Sequence, residues 1–97
     1  MQRHTSNEDR NKYLKWRRDV KKRDGYKCQW AFCSCKTKLQ VHHILEWSKF
    51  PHLRYSVNNG IALCKQHHTM IKGNEALYAP IFSNLVLEKI KKCQAKK

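Results

Sequence analysis

The chain has 97 residues and a formal net charge of +14, from 21 Lys and Arg against 7 Asp and Glu. That length fits one domain with a thin core, which commonly needs a disulfide or a metal as a staple. No run of 18 apolar residues occurs, so no membrane-spanning helix is expected.

The opening residues, MQRHTSNEDR, hold no apolar stretch, so no secretory signal is expected. A cytoplasmic, reducing location follows as the expectation. There, five Cys beside six His read as metal ligands more readily than as disulfides. The charge excess favours a polyanionic partner, with nucleic acid ahead of a membrane surface.

In chain order, residues 1–7 are polar and expected to fray. Residues 8–24 predict a helix with Tyr13, Trp16 and Val20 as its apolar stripe, spaced by three and four. Ser6 with Asp9 resembles a capping box, and Asp24-Gly25 ends the helix. The other face carries Lys15, Arg17, Arg18, Lys21 and Lys22. With a charge this lopsided, that face reads as phosphate-contacting rather than merely solvated.

A cysteine-rich loop, CQWAFCSC, runs from Cys28 to Cys35 and leads to a predicted strand at Leu39–His43. Residues 44–58 read as an irregular loop, broken at Pro51 and Asn58 and packed down by Trp47, Phe50 and Leu53. Arg54 and Tyr55 in it are candidates for backbone phosphate contact. A second strand is predicted from Gly60 to Leu63, then a short helix from Cys64 to Lys72, ended near Gly73. The last predicted helix has Pro80 near its start and Phe82, Leu85, Val86 and Ile90 along one side. Lys89, Lys91, Lys92, Lys96 and Lys97 make its end basic.

Two constellations carry chemistry. The first joins Cys28 and Cys33, a C-x4-C knuckle, to Cys64 and His67, a C-x-x-H pair. Three thiolates and one imidazole make a closed, structural zinc site, and such a site supplies the staple that a thin core lacks. Cys35 competes with Cys33 as a ligand, although the spacing from Cys28 favours Cys33. Cys93 lies apart in the lysine-rich tail. The competing reading is ordinary buried cysteines, which two close pairs of ligands disfavour.

The second constellation starts from LQVHHIL, residues 39–45. Neighbouring strand side chains point to opposite faces, so His42 and His43 cannot both serve one core. At least one is expected to serve chemistry. Further on lie Asn59 and His68.

The order LQVHHIL, NNGIALC, CKQHH resembles the HNH endonucleases, whose active site is a ββα-metal fold. The stretch RDGYKCQWAFC from Arg23 is similar to the zinc-stabilised members often found in bacteriophages. The resemblance spans Trp16 to Tyr78. It implies a small α+β domain: a leading helix, a zinc-pinned β-hairpin and short helix over residues 26–73, and a trailing helix over 74–97.

By that resemblance, His42 and His68 ligate a catalytic divalent ion, with Mg²⁺, Mn²⁺, Ni²⁺ and Zn²⁺ all open. His43 takes the general-base position, and Asn59 braces the loop and orients the base. The substrate implied is DNA, cut to 5′-phosphate and 3′-hydroxyl ends with little intrinsic sequence preference, by a nicking monomer or a homodimer. A phage packaging, homing or defence partner would supply specificity. Two departures stand out: the second zinc pair ends in His67 rather than Cys, and Lys72 stands where some relatives carry another His. Lys72 is grouped with the DNA-contacting residues.

Two readings have an alternative beside them, and two histidines stand apart. His67 and His68 exchange roles in one of them. Glu75 pairs with the basic face or contacts His68, in a structural role. His4 and His52 are surface residues. The rival function is a zinc-stapled nucleic-acid-binding module without catalysis, or a nuclease subunit active only with a partner.

Overall fold

The computed structural model describes residues 7–95, with side chains described through Lys91. Ser6, His4, Lys96 and Lys97 lie outside the described residues, as do the side chains of Lys92 and Cys93. Helix α1 spans Asn7–Arg23, strand β1 Leu39–His43, strand β2 Gly60–Cys64, helix α2 Lys65–Met70 and helix α3 Glu75–Ala95. Two single 3-10 turns, Pro51–Leu53 and Val57–Asn59, interrupt the long loop between the strands. The architecture is α+β, with a two-stranded antiparallel hairpin followed by α2.

Helix α1 begins with Glu8 and Asp9 and ends with Lys21, Lys22 and Arg23, charges that suit the two ends of its dipole. Trp16 and Val20 are its buried residues. It closes on Gly25 at φ 68° and Tyr26 at φ 58°, where the Tyr26 amide returns to the Lys21 carbonyl at 2.9 Å. Helix α3 starts at Glu75, so Pro80 sits inside it rather than near its first residue. A proline there removes one backbone bond of the ladder. The packed side chains Phe82 and Val86, both 2 % exposed, tie that part of the helix to the core.

The register decides the site. Leu39 pairs with Cys64, Val41 with Ala62, His42 with Ile61 and His43 with Gly60. Residues paired across a sheet share a face. His43 and Gly60 therefore face α1, and His42 and Ile61 face α2 and α3. All of β2 is buried, because helices cover both its faces. On one side, Gly60 makes room for α1: a Cβ there would lie 2.7 Å from Trp16 and 2.7 Å from Val20. On the other, Ile61, Leu63, Cys64, Ile71, Phe82, Val86, Ile44 and Cys28 form one core cluster.

A charged clasp joins α1 to this sheet. Asp24 is 1 % exposed and accepts from the Ala62 amide at 2.9 Å. Arg23 donates to both Asp24 oxygens at 2.9 Å, and also to the carbonyls of Val57 at 2.7 Å and Gly60 at 2.6 Å. Burying an ion pair is tolerable only when its remaining donors and acceptors are satisfied, and here they are.

Candidate metal and catalytic sites

The first site forms where the cysteine loop meets the end of β2. The ligand atoms of Cys28, Cys33, Cys64 and His67 all lie within 4.8 Å of one another. His67 Nδ1 is 3.3 Å from the Cys64 sulfur and 3.6 Å from the Cys28 sulfur. Tetrahedral zinc, bonded at about 2.3 Å to sulfur and 2.0–2.1 Å to nitrogen, sets ligand atoms roughly 3.5–3.8 Å apart. The four residues fit such an ion.

The chemistry of the donors agrees. Burial, with the neighbouring thiols, pushes the Cys28 thiol up to about 11, so thiolates here call for a cation. The loop is held by the Cys28 amide on the Cys35 carbonyl at 2.8 Å and the Cys33 amide on the Trp30 carbonyl at 2.9 Å. Trp30 stacks on the His67 ring at 4.7 Å. Cys35 stands outside the cluster, its sulfur turned to the Thr37 carbonyl at 3.5 Å. Between the two histidines open to this role, His67 joins the cysteines, and His68 lies beside His42.

The second site lies at the other end of the hairpin, in a pocket of about 820 Å³ lined by His42, His43, His68, Arg17, Glu46 and Glu75 among others. The strand alternation splits the histidine pair. The His42 ring lies 5.6 Å from that of His68 and 5.8 Å from Phe82. Its Nε2 is buried and has no hydrogen-bond partner among the described residues. An orphaned imidazole nitrogen is costly, and a cation shared with His68 would satisfy it. Burial first, then the nearby His68, brings His42 down to about 4. Burial, then Lys72, lowers His68. Both rings are therefore neutral near pH 7, the form that binds metal.

His43 goes the other way. Its ring stacks on Trp16 at 3.9 Å and 11°, with Trp47 edge-on at 5.3 Å. Its Nε2 lies 2.8 Å from the Arg54 carbonyl. A carbonyl only accepts, so Nε2 carries the proton and Nδ1 is the unprotonated nitrogen. Burial lowers the His43 pKa, partly offset by that carbonyl.

Asn59 is 6 % exposed, and its side-chain hydrogen bonds go to the loop rather than to His43. Its Oδ1 accepts from the Leu45 amide at 2.8 Å, and its Nδ2 donates to the Leu45 and Leu53 carbonyls at 3.1 and 3.3 Å. It fastens both ends of the loop whose next carbonyl, that of Arg54, fixes His43.

Of the residues expected to meet DNA, Arg17 lines the pocket. Arg18, Lys22 and Lys72 are exposed, Lys15 pairs with Asp19 at 2.7 Å, and Lys21 is partly buried. Arg54 is committed to its own loop: Nε donates to the Trp47 carbonyl at 2.8 Å and the guanidinium lies 4.6 Å over the Trp47 ring. Glu75 reaches the pocket while its Oε1 accepts from the Gly73 amide at 2.9 Å. The Arg23–Asp24 clasp and the Trp16 stack escape a reading by motif. A lone acid after Arg23, with none following until Glu46, is the signal available for the first.

Residues 27–74 match the family model described as HNH endonuclease. The chain carries an HNH endonuclease domain. The matched segment contains both constellations. Helix α1 and all of α3 lie outside it, yet they supply Trp16, Arg23 of the clasp and Phe82 to the HNH domain. No curated protein and no solved structure matches the chain significantly. Among the described residues, no helix is long and apolar enough to cross a membrane.

Proposed function

We propose that the protein is a metal-dependent DNA endonuclease that hydrolyses phosphodiester bonds, with His43 as general base and His42 and His68 as ligands of the catalytic ion. The observation that carries this reading is the division of labour in the histidine pair. One ring keeps a buried Nε2, unpartnered among the described residues, beside His68. The other has its Nε2 proton given to the Arg54 carbonyl, so its Nδ1 is free to take a proton.

In the proposed reaction, Nδ1 of His43 accepts a proton from a water placed in line with the scissile bond. The water oxygen forms the new P–O bond, and the bond to the 3′ oxygen breaks. That oxygen leaves as a hydroxyl after protonation from solvent, and the 5′ side keeps the phosphate. The Trp16 face and the Arg54 carbonyl hold the His43 plane during this transfer, and Asn59 holds the loop that bears that carbonyl. A divalent ion bound by His42 and His68 would supply Lewis-acid relief of the charge building on the phosphoryl and leaving oxygens. The zinc site at the far end of the hairpin contributes folding energy. The net charge of +14 favours approach to the DNA backbone with little reading of sequence. A phage or mobile-element setting fits the zinc knuckle.

Plasmid nicking in low salt, with EDTA, Mg²⁺, Mn²⁺ or Ni²⁺, tests the reading. Wild type is expected to convert supercoiled DNA to nicked or linear forms only with a metal. His43→Ala is expected to bind equally well and to cut about 10²–10⁴-fold more slowly. Equal cutting by both proteins removes His43 from the base role. Binding without cutting under every ion leaves the non-catalytic binding module in its place.

A further inference from the structure

The segment from Gly25 to Leu45 contains no Asp or Glu, and its Lys27, Lys36 and Lys38 are all exposed. At the tip of its cysteine loop stands Phe32, with a relative exposure of 109 %. Phe32 also holds a left-handed backbone at φ 64°, which bulky side chains rarely adopt. The other non-glycine residues with positive φ among those described are Tyr26 and Lys38, and both are exposed in the same segment. Backbone strain persists where the surroundings enforce it, and it collects at functional sites. Here the hydrogen bonds of Cys28 and Cys33 on either side of Phe32 enforce it.

Packing does not account for this ring, since it touches solvent on every side. The zinc loop therefore spends strain on presenting an aromatic face outward. Around it in sequence are lysines and no competing acid.

We propose that Phe32 stacks on an unpaired nucleic-acid base, while Lys27, Lys36 and Lys38 engage the adjoining backbone. The proposal rests on the nuclease reading and extends it to a second contact. Aromatic faces stack on any base, so the contact is tolerant of sequence. It is also remote from the cut. Strand β1 separates Lys38 from His43, and five residues at about 3.3 Å each place the knuckle end roughly 13–17 Å from the base. At about 3.4 Å per nucleotide of a strand, that is about four or five nucleotides. The protein would thereby prefer DNA opened beside the cut: a flap, a gap or a frayed end.

The test uses the full zinc-loaded chain carrying His43→Ala, so that the DNA stays intact. Binding to a labelled single-stranded oligonucleotide and to its duplex is read by fluorescence anisotropy over a salt series. Phe32→Gly and Phe32→Asn both accept the left-handed backbone, so zinc content and melting temperature should hold. Both are expected to bind the single strand about tenfold more weakly, with the duplex changed by less than about twofold and the salt slope unaltered. Phe32→Trp should bind like the parent. Replacing all three lysines by Gln should flatten the single-strand salt slope by about 2, at about 0.7 for each phosphate contact.

Single-strand binding by Phe32→Gly equal to the parent's overturns the inference while leaving the nuclease reading standing. So does an equal loss on duplex and single strand. A parent that binds neither oligonucleotide overturns both.

Discussion

The two ends of the hairpin have been built on opposite terms. At the Leu39–Cys64 end, four ligand atoms converge within 4.8 Å, as many as a tetrahedral ion takes. At the His43–Gly60 end, the donors are deliberately unequal. His43 is satisfied by a carbonyl and an aromatic face, whereas His42 Nε2 is buried without a partner among the described residues. A closed donor set stabilises; a site with an unmet nitrogen beside an open pocket can bind something else. The difference teaches that the same residue type, in His42, His43, His67 and His68, takes its role from strand parity and helix position.

The comparison breaks most sharply at Cys64. Cys64→Ser removes one thiolate from a site whose binding free energy, about 10–16 kcal/mol in zinc-finger peptides, is folding free energy. A domain of this size has about 5–15 kcal/mol in total. Loss of cooperative unfolding by circular dichroism is expected, with bound zinc falling from one per chain to none. A folded, zinc-free protein would mean that the core holds without the staple.

Next comes the clasp between the two ends. Arg23→Ala leaves the Asp24 carboxylate, 1 % exposed, with only the longer Lys89 contact at 3.7 Å as its cation. Breaking a buried pair costs up to about 3–5 kcal/mol, and Lys89 offsets part of that. Chemical denaturation should show that loss at unchanged zinc content, and a change under about 1 kcal/mol would place Arg23 outside the stabilising network.

Acid sharpens the contrast from the open end. The His42 pKa of about 4 in the folded chain lies below the ordinary 6.5, chiefly through burial. The unfolded chain therefore binds the extra proton first. The stability this represents is fully present above pH 6.5 and is lost as pH falls toward 4, by about 3 kcal/mol in all. His43 and His68 are shifted in the same direction and add to the slope with the same sign. Thermal melts at pH 7.5 and 4.5, for wild type beside His42→Leu, isolate the term from any release of zinc. The drop should be smaller in His42→Leu, and identical drops would assign the acid sensitivity elsewhere.

The smallest expected effect tests the close approach behind the open end. Gly60→Ala puts a methyl group 2.7 Å from both Trp16 and Val20. Overpacking of this kind costs about 1–3 kcal/mol. Because Trp16 carries the His43 ring, the cleavage rate should fall along with the melting temperature. A lowered melting temperature with unchanged cleavage would show that the stack tolerates displacement.

The α+β composition was legible in sequence because each element is written locally: the i, i+4 stripe of Trp16 and Val20, the apolar run 39–45 and the turn at Gly73. The close ligand pairs were legible for the same reason, since a short spacing constrains geometry before any fold exists. Other features exist only through register and packing. Pairing His43 with Gly60 sends one histidine to α1 and its neighbour to α2 and α3, and a one-residue slip would exchange them. The choice of Cys33 over Cys35 depended on how the loop closes. The commitment of Arg54 to Trp47, the carbonyl that sets the His43 tautomer, and the Arg23–Asp24 clasp across 34–38 residues likewise belong to tertiary structure. Sequence determined which chemical groups this protein has and roughly where they cluster. Only the folded chain decided which nitrogen is left free, because burial and hydrogen-bond satisfaction depend on partners distant along the chain.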